Sequence, residues 1–251
     1  MRAVPQKIQI LKFVGEQGIV TLSDVASHLS CPHKLSYIRV ALYKLGITHK
    51  KYREIPNGVW FVDNQALFDL LSAYYPDSPR FEVRPIVWHE IQHALELNRI
   101  RNTFLQTNIV TIDEWWSENY IRALPLSMKE YWDNGLKAPD AVFWRKRQDG
   151  TRQKYFLEFE RTLKNTQRYE DIFCSYARRP DVKDRNVIYI CGTPYIKERL
   201  QRVEEYLVKT GALPGIGLFF QFITLEGFYE SHANHKGEVN HEQTKTVRAN
   251  A

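Results

Sequence analysis

Three carboxylates stand out by type and spacing. Asp140 follows Pro139 at the head of an apolar run, Ala141-Val142-Phe143-Trp144, and Glu158 and Glu160 are one residue apart in Tyr155-Phe156-Leu157-Glu158-Phe159-Glu160. Side chains alternate along an extended strand, so Glu158 and Glu160 share a face. Two carboxylates on one face repel each other unless a cation lies between them. Across a hairpin, Asp140 can share a divalent cation with Glu158. The chemistry such a set supports is attack of an activated water on a phosphodiester, with Mg2+ or Mn2+ held by Asp140, Glu158 and Glu160. A second spacing competes with the first. His89-Glu90-Ile91-Gln92-His93 puts two histidines one helical turn apart with a glutamate between them, the pattern of a zinc peptidase. That chemistry needs a third ligand. Glu114 and Glu118 lie at a workable distance, but in a segment that reads as strand.

The elements that must position these residues follow from periodicity. A long helix fills about Val83 to Leu105, with Val87, Ile91 and Leu95 on one stripe. A strand follows near Asn108 to Trp116. The strand opened by Pro139 and the one ending at Glu160 are joined by a turn at Arg147-Gln148-Asp149-Gly150. Then come a helix from Thr162 to Arg178, a strand over Asn186 to Ile190, a helix from Tyr195 to Lys209 and a strand near Gly217 to Thr224.

The N-terminal segment has a different order. Ile8, Leu11 and Val14 lie at helical spacing before Gly18, and Thr21 to Asp24 cap a second helix. A third helix runs through Tyr37, Val40, Ala41 and Leu45 and stops at Gly46. The spacing then predicts a hairpin, Ile47 to Arg53 and Val59 to Val62, turning at Pro56-Asn57-Gly58. Three helices and a two-stranded wing resemble a winged helix-turn-helix. Such modules set the third helix in the major groove and the wing on the backbone. Lys34, Ser36, Tyr37, Arg39 and Lys44 lie on or beside that helix, and Lys50, Lys51 and Arg53 on the wing.

Charge supports this reading. The chain of 251 residues has a formal net charge of +6, and nine basic against three acidic residues up to Val62 account for all of it. A basic module joined to a near-neutral one suggests that the first meets phosphate, so double-stranded DNA is the expected partner. No apolar run is long enough to cross a bilayer, so no membrane insertion is expected. Cys31, Cys174 and Cys191 are scattered and form no disulfide framework, which suits a reducing cytoplasm. The expected division is a winged helix over 1–62, a helical linker over 63–80, a nuclease-like domain over 81–230 and a disordered tail over 231–251. His232, His235 and His241 belong to that polar tail.

The order of helix, three strands, helix, strand, helix, strand resembles the PD-(D/E)xK nuclease core of many restriction endonucleases. The expected class is therefore α+β: an N-terminal winged helix-turn-helix followed by a restriction-endonuclease-like α/β core with a mixed sheet. This chain departs from the family in having Glu160 where lysine is usual. Lys164 is then the candidate for a migrated lysine, with Arg161 and Lys154 as alternatives. His93-Ala94-Leu95-Glu96-Leu97-Asn98 is similar to a pattern on the first helix of the replication-relaxation family, which includes the MobC-type plasmid relaxases. That resemblance spans about Pro5 to Glu230. It implies a metal-dependent nickase at a plasmid origin of transfer, working with a second mobilization protein and a coupling protein. Asp140, Glu158, Glu160, Lys164 and His93 would be its catalytic residues. Whether Tyr169 or Tyr176 links covalently to DNA is left open. The competing class is a non-catalytic plasmid replication or transcription regulator with an inactive nuclease core.

Overall fold

The computed structural model describes residues 4–29, 35–106, 115–124, 138–146 and 150–233. They form two compact units, residues 1–102 with 116–141 and residues 103–115 with 142–251. The class is α+β, with N-terminal helices and a mixed sheet.

The first unit begins with α1 (Gln6–Gln17), β1 (Ile19–Val20), α2 (Leu22–His28) and α3 (Leu35–Leu45). Thr21 caps α2 through a full capping box with Asp24, which satisfies two amide donors at the helix start. Residues 30–34, which link α2 to α3 and include Cys31 and Lys34, lie outside the described residues. Gly46 closes α3 at φ 74°, a left-handed conformation that costs glycine nothing. β2 (Thr48–Tyr52) and β3 (Ile55–Phe61) then pair antiparallel, with β1 on the far side of β3.

The hairpin differs from expectation at its turn. The chain reverses at Arg53-Glu54, because Tyr52 pairs with Ile55. Pro56-Asn57-Gly58 lies inside β3, where the register shifts and both Asn57 (φ 65°) and Gly58 (φ 66°) are left-handed. Asn-Gly is suited to this backbone wherever it occurs, so the dipeptide marked a bulge instead of a reversal. A Cβ at position 58 would lie 2.5 Å from the Lys50 carbonyl oxygen, which makes glycine obligatory there.

The sheet is covered on both faces. Trp60 and Val62 enter the main core with Ile10, Phe13, Ile38 and Leu42, while Val59 joins Ile19 and Ile91 in a second cluster. Ile91 comes from α5 (Trp88–Gln106), which follows α4 (Gln65–Tyr74). Helix α5 starts five residues later than periodicity suggests. Pro85 explains the delay, since proline inside a helix removes a hydrogen bond and clashes with the preceding turn. The packing stripe of α5 also carries polar groups. Asn98 Nδ2 donates to the Ile19 carbonyl at 2.8 Å, Asn102 Nδ2 donates to Asp24 Oδ1 at 3.2 Å, and Arg101 lies 5.1 Å over the Phe13 ring.

His28 stacks on Phe13 with ring centroids 4.2 Å apart. It sits in the last turn of α2, where a helix dipole favours a cation by about 0.3–1 kcal/mol. Burial opposes this and, with Arg101 and Lys12 nearby, holds the imidazole down at about 4. The larger effect wins and His28 is neutral. Its folded value lies below its unfolded one, so the stability it contributes is complete above pH ~6.5 and lost as pH falls towards 4. The expected loss over that window is about 3 kcal/mol. Urea midpoints at pH 7 and pH 4 should show it, and His28→Phe should remove most of the difference; an unchanged difference would contradict the assignment.

The second unit contains most of a five-stranded sheet in the order β4-β5-β6-β7-β8: β4 (Trp115–Ser117), β5 (Ala141–Lys146), β6 (Arg152–Glu160), β7 (Val187–Cys191) and β8 (Phe220–Thr224). β6, β7 and β8 are parallel, joined by α7 (Thr166–Ala177) and α8 (Pro194–Lys209). Parallel strands covered by helices read as continuous apolar runs, and β7 is buried at every position. Phe173 of α7 stacks on Phe220 of β8 at 4.3 Å. A short helix, α6 (Glu118–Ala123), follows β4, so Glu118 is helical where the sequence reads as strand. A last helix covers 225–233, so residues 231–233 are helical, while 234–251, with His235 and His241, lie outside the described residues. Glu114 and the loop 147–149 lie outside them too.

Candidate functional site

Asp140 belongs to the first unit, and Glu158 and Glu160 to the second. All three are buried, at 4%, 2% and 5% exposure, so the glutamates are not rim residues of a half-solvated strand. Each has its own partner. Asp140 Oδ2 lies 3.4 Å from His93 Nε2. The Tyr176 hydroxyl of α7 donates to Glu158 Oε1 at 2.5 Å. Lys164 Nζ pairs with Glu160 Oε2. The repulsion expected between Glu158 and Glu160 is thus met by a phenol at one and an ammonium at the other.

These pairings accompany a correction. Among the described residues, no group of three or more His, Cys, Asp or Glu side chains is arranged to hold a metal ion. The expected Mg2+ or Mn2+ site at Asp140, Glu158 and Glu160 is therefore not formed, and the metal-dependent nickase built on it is overturned. The catalytic roles assigned through that metal fall with it. Nor is a zinc site formed by His89, His93 and Glu118. His89 and Glu90 are exposed in the first turn of α5, His93 faces Asp140, and Glu118 pairs with Arg122 on α6. Asn98 of the histidine-bearing pattern is occupied with the β1 backbone.

Lys164 also sits differently from expectation. It precedes Asn165, the N-cap of α7, instead of lying a turn inside the helix. Lys154, the alternative, pairs with Asp181 at 2.8 Å. Neither tyrosine is placed as a nucleophile. Tyr169 and Tyr176 are 1% and 2% exposed. Burial raises both phenols above their ordinary value, Tyr176 further through Glu158 and Tyr169 through Glu160. Beside them, burial and Glu160 push the Cys191 thiol up to about 12. Protonated, buried groups of this kind hold a core together.

Glu158 and Tyr176 act as one unit. Removing one partner leaves the other buried and unsatisfied, whereas removing both with apolar groups of similar shape costs far less. Tyr176→Phe is expected to destabilise the fold by about 1–3 kcal/mol, and the double variant Tyr176→Phe with Glu158→Leu by less than the sum of the single changes. Denaturation of the four proteins checks this; strict additivity would show that the pair is not coupled.

The remaining site residues are on the first unit and are exposed. Helix α3 buries Ile38, Ala41 and Leu42 and turns Ser36, Tyr37, Arg39, Val40, Tyr43 and Lys44 to solvent. Tyr37 is 45%, Val40 49% and Tyr43 55% exposed. Tyr37 and Val40 were expected on the helix's apolar stripe; that stripe lies about a third of a turn away. Lys50, Lys51 and Arg53 are exposed on β2 and its turn. Helix and hairpin are tied together. Arg39 Nη2 donates to Asn57 Oδ1 at 2.9 Å. His49 Nε2 lies 2.9 Å from the Asn57 carbonyl, which requires the ring nitrogen to donate, and His49 Nδ1 lies 3.2 Å from the Tyr43 hydroxyl. His49 also stacks on the buried Trp60 at 4.4 Å. Sequence reasoning missed Val40, Tyr43, His49 and Asn57. Asn57 followed by Gly58 was the one available signal, and it was read as a turn.

No helix among the described residues is long and apolar enough to cross a membrane. The chain matches no protein-family model, and no curated protein sequence or solved structure matches it significantly.

Proposed function

We propose that the chain is a non-catalytic, sequence-reading DNA-binding protein of the plasmid replication or transcription regulator class, acting in the cytoplasm. In this reading its first unit works as a winged helix-turn-helix. Its second unit is a nuclease-like core in which Glu158 and Glu160 serve packing.

The observation that carries the reading is the exposed face of α3 beside a basic hairpin. Ser36, Tyr37, Arg39 and Lys44 stand out from a helix whose opposite side is core, and Lys50, Lys51 and Arg53 flank it on an element hydrogen-bonded to that helix. A helix of 11 residues is about 16 Å long, enough to follow a major groove. The hairpin's cations suit phosphate contact. Its sheet is already covered on both faces, so the basic edge and turn are what it offers a partner. Double-stranded DNA is the proposed partner.

The test is titration of a labelled 30-base-pair duplex with the full chain over a range of salt. A steep linear fall of log affinity with log salt supports DNA binding through phosphate. Absence of duplex binding at low salt refutes it.

A further inference from the structure

The exposed face of α3 has a definite chemical order, with Val40 between Ser36 and Tyr43 along its centre. At about 100° per residue, Ser36, Val40 and Tyr43 lie within about 35° of the direction opposite the buried Ile38, Ala41 and Leu42. Arg39 flanks them on one side, and Tyr37 and Lys44 on the other.

The polar groups around Val40 have internal engagements. Arg39 donates to Asn57, Tyr43 is bonded to His49, and the Tyr37 hydroxyl lies 3.3 Å from Gln6 Oε1. These contacts engage the polar tips of the flanking side chains, and Val40, 49% exposed, stands among them as the aliphatic group on the outward side of the helix. A β-branched apolar side chain 49% exposed at that point leaves about half of its surface open to a partner. It gains from covering apolar surface on whatever the helix meets.

In the major groove only one base presents an apolar group at its edge. Thymine carries the C5 methyl, while the other bases offer donors and acceptors that valine cannot use. We infer that Val40 is a specificity-determining residue that reads a thymine methyl, so that the preferred duplex carries thymine opposite the middle of α3. This rests on the DNA-binding reading and goes beyond it by naming the base.

The experiment selects bound duplexes from a random 30-base-pair pool with the full chain. It then compares one selected duplex with the same duplex carrying uracil for every thymine. Uracil differs from thymine by that methyl alone. The wild-type chain should bind the uracil duplex about fourfold more weakly for the methyl covered. Val40→Ala should bind the thymine duplex more weakly by a similar factor, with the uracil penalty falling below about twofold, a non-additive cycle. Val40 is on the surface, and circular dichroism and the urea midpoint of the variant confirm that it folds. Equal binding of both duplexes by the wild type overturns the assignment and leaves the DNA reading standing. So does an undiminished uracil penalty in Val40→Ala. Failure of the selection to enrich any duplex overturns both.

Discussion

Replacing Lys50, Lys51 and Arg53 together by alanine is expected to weaken duplex binding about a hundredfold near physiological salt, taking about 1 kcal/mol for each lost charge-assisted contact at an exposed site. The loss should be nearly the same on every sequence, since phosphate contacts carry no base information. The log–log salt slope should become shallower by about 2–3, close to 0.9 for each phosphate released. The fold should not change. All three side chains are exposed, and Lys50 touches only the edge of the structure, lying 5.5 Å over the Tyr52 ring. Lys44→Ala, on α3, should add one further unit of slope by the same reasoning. A protein partner docking on the exposed face of α3 would behave differently. It would depend on Tyr37, Val40 and Tyr43 and vary little with salt. Salt titration of the wild type and the triple variant separates the two cases; an unchanged slope would show that the hairpin does not meet phosphate.

The largest expected effect on stability belongs to Arg101. Its guanidinium is 2% exposed, lies over Phe13, and donates to Asn102 at 3.3 Å. Burial lowers it to about 10, with Glu16 and Asp24 acting against that shift, so it stays charged at neutral pH. Asp24 is 5% exposed and has its carboxyl raised by burial, an effect that Thr21, Asn102 and Arg101 partly offset. Arg101 is therefore a buried cation whose charge offsets Glu16 first and Asp24 second, beyond direct ion-pair distance. Arg101→Leu removes that cation and its contact with Phe13 and leaves both carboxylates without it, at an expected cost of about 3 kcal/mol. Such a loss takes a large part of the margin of a single domain, so Arg101→Lys serves as the second variant. Lysine keeps the charge but loses the planar fork, and should recover part of the stability. Adding Asp24→Asn to Arg101→Leu should also recover part of it. Urea denaturation reads all three. Equal stability of Arg101→Leu and the wild type would remove Arg101 from this role.

Much of the chain's local structure was legible because it depends on nearest neighbours. Thr21 and Asp24, Gly46, and the run Val187 to Cys191 each specify a cap, a stop and a buried strand within a few residues. The starts of helices were less legible where a proline intervened, as at Pro85 before α5. Asn57-Gly58 fixed a left-handed backbone correctly but not its use, because a bulge and a reversal need the same dihedrals. The face of α3 was misjudged for another reason. Tyr37 and Val40 are apolar enough for either side of a helix, and only the packing of Ile38, Ala41 and Leu42 against α1 and the hairpin decides which side is core. The acids were the most visible residues, yet their chemistry was decided elsewhere. Glu158 is answered by Tyr176, eighteen positions away on α7, and Asp140 by His93, from a helix far earlier in the chain. Type and spacing showed that carboxylates were present. They did not show that Glu158 meets Tyr176, Glu160 meets Lys164 and Asp140 meets His93.

The most direct measurement is incubation of the full chain with supercoiled plasmid DNA, in parallel with Mg2+, with Mn2+ and with a chelator. The expected result is a salt-sensitive shift of the plasmid, the same in all three conditions, with the DNA recovered supercoiled once protein is removed. Metal-dependent conversion to open circles by the wild type, abolished in Asp140→Ala or Glu158→Gln, would contradict it. That outcome would show that these acids do chemistry and do not merely pack.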